Sequence, residues 1–165
     1  MNGLSTWIVN AFGGVLSEEA LVFVISMCPI LELRGGLVAA ALFGIEMWKA
    51  IAICVIGNII PVPFILLLIT RIFDWMKQTK AFRPMVEKLE NKAMSKKDQI
   101  EKYEFWGLML FVGIPLPGTG AWTGSLIAAL LGMRFKKAFP AVIFGILMAT
   151  IIMTTLSYLI PGLFF

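Results

Sequence analysis

Apolar residues run along this chain in long blocks, and polar residues gather in short interruptions and in one charged stretch. Residues 1–17 carry no charge and include Trp7 and Phe12. They are too short and too glycine-rich for a span, and read as an interfacial segment. The block 20–44 is apolar except for Glu32 and Arg34, which fall at its middle among Pro29, Gly35 and Gly36. A second block, 50–70, is interrupted by Asn58, Pro61 and Pro63. Residues 71–104 are the polar part of the chain, and there Phe82, Met85, Val86, Leu89 and Ala93 recur at helical spacing. That spacing predicts an amphipathic helix near a membrane surface. The block 105–133 is broken by Gly113, Pro115, Pro117, Gly118, Thr119 and Gly120, and a last block covers 139–160.

The blocks repeat. At an offset of 88 residues, Pro29 falls on Pro117, Gly36 on Gly124, Gly44 on Gly132, Lys49-Ala50 on Lys137-Ala138 and Gly57 on Gly145. With Ala40-Ala41-Leu42 on Ala128-Ala129-Leu130, this makes 9 identities over positions 29–57 without a gap. Chance easily matches small apolar residues, but not prolines, glycines and a lysine in register. Paired, interrupted apolar segments in two halves of a chain are the sequence pointer to a transporter site.

Two topologies compete. If 20–44 and 105–133 each cross the bilayer, the basic stretch 71–104 and the cluster Arg134, Lys136 and Lys137 lie on opposite sides, against the positive-inside rule. If each is instead a re-entrant hairpin with arms of about a dozen residues, followed by one full span, both basic segments share a face. Twelve basic residues then lie on that face, which is cytoplasmic, and only Lys49 on the other. The two halves become inverted copies. The hairpin topology is the one expected.

Composition narrows the class. Of 165 residues, 59% are hydrophobic and only 15% charged, which no soluble domain of this size could cover with polar surface. The net charge of +4 fits a membrane surface rather than nucleic acid. The expectation is an all-α integral membrane protein with one membrane domain, 1–165. Its parts are an interfacial segment 1–18, a first repeat 19–70, a basic linker 71–104 and a second repeat 105–165. Without histidine there is no Ser-His or Cys-His pair, and Cys28 and Cys54 lie in apolar runs. No enzyme activity, cofactor or metal is expected.

Glu32 and Arg34 are the first candidates for chemistry. A charge at mid-membrane costs at least about 2.5–3.5 kcal/mol, so its presence points to function. The arginine fork suits phosphate or carboxylate, and a glutamate in a low-dielectric pocket can serve as a proton site. The bland alternative is an ion pair that only holds the hairpin tip. In the second hairpin, the helix restarting after Gly118 presents an N-terminus suited to an anion, to which Thr119, Gly120 and Thr123 could contribute. The alternative there is close packing through Gly120 and Gly124. Pro29, Gly35 and Gly36 are assigned to the first turn, and Pro115, Pro117 and Gly118 to the second. Asn58 is expected to bridge backbone groups freed by a kink, with a cavity role second.

The segments Pro29-Ile30-Leu31-Glu32-Leu33-Arg34-Gly35-Gly36 and Pro115-Leu116-Pro117-Gly118-Thr119-Gly120-Ala121-Trp122-Thr123-Gly124 resemble those of the small multi-drug export protein family, over nearly the whole chain. That family is distantly similar to the DedA/VTT membrane proteins, which carry paired re-entrant hairpins in an inverted repeat. Some of those are implied to move undecaprenyl phosphate across the membrane with proton coupling. The resemblance carries Glu32 and Arg34 as the charged pair of the first hairpin. Residues 118–124 are uncharged where DedA proteins usually place a charge.

Three functions follow as expectations. The first is a transporter of a polyprenyl-phosphate-type carrier or similar anionic lipid, with Arg34 and the helix start near Thr119 on the headgroup and Glu32 as protonation site. The second is a proton-coupled exporter of lipophilic cations, which the fixed charge of Arg34 beside Glu32 disfavours. The third is a non-transporting scaffold. The expected setting is a prokaryotic cytoplasmic membrane, with an anionic lipid and a second copy of the chain as partners.

Overall fold

The computed structural model describes residues 17–80, 82–95, 104–116 and 118–159, so the expected interfacial segment lies almost wholly outside it. The described residues contain helices and turns and no strand. They form α1 (Glu18–Met27), α2 (Glu32–Leu42), α3 (Met47–Ile59), α4 (Pro61–Lys77), α5 (Arg83–Met94), α6 (Glu104–Gly113), α7 (Ala121–Leu130) and α8 (Phe135–Thr154), which runs on as a π-helical turn over Thr155–Leu159.

Among the described residues, two helices are long and apolar enough to cross a bilayer. One is Met47–Lys77, 31 residues that join α3 to α4, and the other is Phe135–Leu159, 25 residues. At about 1.5 Å per residue both exceed the roughly 30 Å hydrocarbon core. The first extends seven residues past the expected block end, so the start of the basic stretch continues a span. Pro61 and Pro63 have no N–H to donate, and the helix ladder is interrupted at Ile60, as expected.

The blocks 20–44 and 105–133 are not single long helices. Each folds as two helices, of 10 and 11 residues in α1 and α2 and of 10 and 10 in α6 and α7. Ser17 caps α1 by accepting a 3.2 Å bond from the Ala20 N–H, and Glu18 and Glu19 follow at the positive end of the helix dipole. Pro29 lies in the first turn, but Gly35 and Gly36 do not. Both sit inside α2, where the need was for close packing rather than a bend. A Cβ at Gly36 would collide with Ser26 Oγ and lie 2.9 Å from Cys54 Sγ.

The sequence repeat has a counterpart in these contacts. A Cβ at Gly57 would lie 3.0 Å from the Phe23 carbonyl oxygen and 3.1 Å from Ser26 Cβ. At Gly145 it would lie 2.8 Å from the Met109 carbonyl oxygen and 2.6 Å from Val112 Cβ. In each half, therefore, the long helix lies against the first hairpin arm at a glycine. Both second arms end alike. The Ile45 N–H donates to the Ala40 carbonyl (3.0 Å) and Gly44 to Ala41 (3.1 Å), while Met133 donates to Ala128 (2.9 Å) and Gly132 to Ala129 (3.1 Å). This double bond is a Schellman ending, which requires left-handed backbone, and Gly44 and Gly132 have φ of 73° and 67°.

The chain divides into two compact units, residues 1–58 with 147–165, and residues 59–146. In the first, α2 packs against α1 and against the π-helical turn. Tyr158 there donates a 3.0 Å bond to the Ile45 carbonyl. In the second, α7 packs against α4, α5 and α6. The linker helix α5 does form, with Val86 fully buried, and it packs against α7 and α4. Lys77 at the end of α4 pairs with Glu90 of α5 at 2.6 Å.

Candidate functional site

The first hairpin tip concentrates charge in an apolar setting. α2 starts at Glu32, whose N–H donates to the Cys28 carbonyl at 2.9 Å and closes the turn. Glu32 is only 5% exposed and adopts φ +50°, which costs a residue with a Cβ about 1–2 kcal/mol. Two residues on, Arg34 is half-buried and interacts electrostatically with Glu32.

Around Arg34, one flank of α2 lines a groove of about 470 Å³ together with Ile25 of α1 and Ile30 of the turn. It is also lined by Leu31, Val38, Leu42 and Met153, by the small residues Gly35 and Ala39, and by Arg34 as its one charged residue. Positions 34, 35, 38, 39 and 42 share one face of a helix, so the groove follows the helix axis. Asn58 belongs to the same unit. Its side chain is buried and Oδ1 accepts no hydrogen bond, so the expected bridge to freed backbone groups is not made by that oxygen.

The second hairpin is built differently. Thr119 does not point its hydroxyl outward. Oγ1 lies 2.9 Å from the Ile114 carbonyl and 2.8 Å from that of Leu116, and accepts from the Leu116 N–H at 3.2 Å. The turn keeps the hydroxyl because its irregular backbone needs hydrogen-bond partners. Gly120 is the N-cap of α7, Thr123 is half-buried in its first turn, and Gly124 packs closely, with an added Cβ 2.5 Å from Val112 Cγ2. Pro115 and Gly118 do lie in the turn, and Pro117 is outside the described residues. Glu32, Arg34 and Asn58 thus fall in one unit, and Thr119, Gly120 and Thr123 in the other.

Each hairpin is also tied to its following span by an ion pair. Lys49 Nζ lies 2.7 Å from Glu19 Oε1, and Lys137 Nζ lies 2.9 Å from Glu104 Oε2. The hydrogen bond and charge of Lys49 hold the Glu19 carboxyl below its usual pKa. The sequence repeat matched the two lysines; the acidic partners escaped it because the first arms are offset differently. Cys28 and Cys54 are free thiols, exposed and buried respectively.

A family model described as "Putative small multi-drug export protein" matches residues 32–152. The chain belongs to that family. The match opens at Glu32, takes in Arg34 and the second hairpin turn, and ends in the last long helix. Membership and the two long apolar helices make this an integral membrane protein of an export family rather than of an enzyme class. No curated protein and no solved structure matches the chain.

Proposed function

We propose that this exporter moves an anionic lipid of the polyprenyl-phosphate type across a prokaryotic cytoplasmic membrane, with its headgroup on Arg34. The observation that carries the reading is the half-buried arginine that is the one charged residue lining an otherwise apolar groove. A guanidinium offers a bidentate site for phosphate, and the groove suits the apolar part of the same molecule. Glu32 is the protonation site. While ionised, it supplies a countercharge beside Arg34; once protonated, it does not, and the anion binds more tightly. Deprotonation then expels the anion, which links movement to a proton.

The same reading makes each hairpin re-entrant and the halves inverted copies. Arms of 10 or 11 residues span about 15 Å, half the hydrocarbon core, which supports it. The matching glycine contacts support the repeat. The linker then faces the cytoplasm, where the positive-inside rule places basic residues. Thr119, Gly120 and Thr123 take a lesser part than Arg34, since the Thr119 hydroxyl serves its own turn. With so few spans, the working unit is a homo-oligomer. The family description favours a second reading, export of lipophilic cations with proton and cation alternating on Glu32. Against it stands the fixed charge of Arg34.

Binding of undecaprenyl phosphate to the wild type, Arg34→Ala and Glu32→Gln, between about pH 5 and pH 9, tests this. Arg34→Ala should weaken binding by about 2–5 kcal/mol, as removal of one partner from a desolvated charge contact does. Wild-type affinity should rise as pH falls, and Glu32→Gln should abolish that dependence. Equal binding by all three proteins defeats the reading and leaves a structural ion pair. Binding of tetraphenylphosphonium instead establishes the cation exporter.

A further inference from the structure

We propose that the groove along α2 seats a single apolar chain of the lipid whose headgroup Arg34 holds, with the chain running from Arg34 toward Leu42. The inference rests on the anionic-lipid reading and adds where the chain lies and in which direction. Arg34, Gly35, Val38, Ala39 and Leu42 share one face of α2, and Met153 closes the groove from the last helix. From Arg34 to Leu42 the helix rises about 12 Å.

Hydrophobicity does not select this path, because lipid tails are as apolar as the groove. Two other effects do. Gly35 and Ala39 leave room among bulkier lining residues, so a chain laid over them gains dispersion contacts with several side chains. A headgroup fixed on Arg34 also ties the start of its own chain to the groove, which raises the effective concentration of that chain over bulk lipid. Leu42 is then a positioning residue at the far end of α2.

Photocrosslinking in phosphatidylcholine liposomes tests this, with long-chain alkyl phosphates carrying a diazirine either next to the phosphate or farther along the chain. The near probe should label Gly35 and Val38, and the far probe Leu42, each severalfold above lipid-facing residues such as Leu67 and Phe144. Leu42→Trp should shift the far label out of the groove and leave the near label in place. Arg34→Ala should erase the order. Melting temperatures of both variants verify folding, and Ala39→Leu serves as a second blocking variant.

The outcomes separate the two claims. Even labelling by the far probe, with the near probe still dependent on Arg34, overturns the seated chain and leaves the anionic-lipid reading intact. Labelling by both probes that ignores Arg34 overturns both. Equal groove labelling by the corresponding neutral alcohol also overturns the proposal, since the groove then holds any bilayer chain.

Discussion

Gly57 and Gly145 stand 88 positions apart, and each presses its long helix against a carbonyl oxygen in the preceding hairpin, that of Phe23 and that of Met109. Both sites would crowd a methyl group, Gly145 more so, with three neighbours at 2.6–2.8 Å against 3.0 and 3.1 Å for the nearest two at Gly57. Backbone cannot yield as a side-chain tip can. Gly145→Ala should therefore destabilise by about 1–3 kcal/mol, with Gly57→Ala at the lower end of that range. Thermal unfolding in detergent checks the order; a reversed order would contradict the packing.

Gly44 and Gly132 are conserved between the halves for a different reason. Nothing lies within 4 Å of a Cβ at either, so substitution there meets no clash. The cost comes from the left-handed backbone alone, about 1–2 kcal/mol for alanine and less for asparagine. Melting temperatures should rank glycine, asparagine and alanine in falling order at both positions. An alanine variant as stable as wild type would refute the Schellman ending.

Glu32 carries the same backbone strain without being glycine. Removing its carboxylate and its Cβ together should relieve strain that removing the carboxylate alone leaves. Glu32→Gly should be more stable than Glu32→Ala by about 1 kcal/mol, although glycine is ordinarily the worse helix residue. Both should lose the pH response of lipid binding. If alanine proves the more stable, φ at position 32 is not strained.

The Glu19–Lys49 pair gives a pH signature. Lys49 lowers the folded-state pKa of Glu19, so the pair stabilises above the ordinary carboxylate pKa, and that contribution vanishes as pH falls through the lowered value. Both side chains are solvent-exposed, which keeps the effect small. The melting-temperature difference between wild type and Lys49→Met should be present at about pH 7 and vanish below about pH 4. A difference that persists in acid would assign Lys49 another role.

Much of this architecture could be read from residue types. Matched prolines and glycines pointed to two similarly interrupted apolar blocks, each of which folds as two short helices, and Pro61 and Pro63 marked the helix break. The ungapped match began only at Pro29 because the offset shifts by two residues across the turn, so that Ser26 answers to Val112 at 86 rather than 88. Gly35 and Gly36 looked like turn residues, since close approach and chain reversal favour the same amino acid. Thr119 looked like a ligand hydroxyl because sequence cannot show that its turn lacks backbone partners. The groove was invisible, since Met153 joins it from more than a hundred residues away.

Movement of lipid is the central claim, and it can be measured in proteoliposomes. The assay follows a polyprenyl phosphate from the inner to the outer leaflet, by access of an external phosphatase, with wild type and Arg34→Ala at matched protein density. The account predicts that wild type speeds exposure over protein-free vesicles, that an inward-acid proton gradient changes the rate, and that Arg34→Ala returns it to background. Wild-type vesicles no faster than empty ones, or an Arg34→Ala protein as fast as wild type, would contradict it.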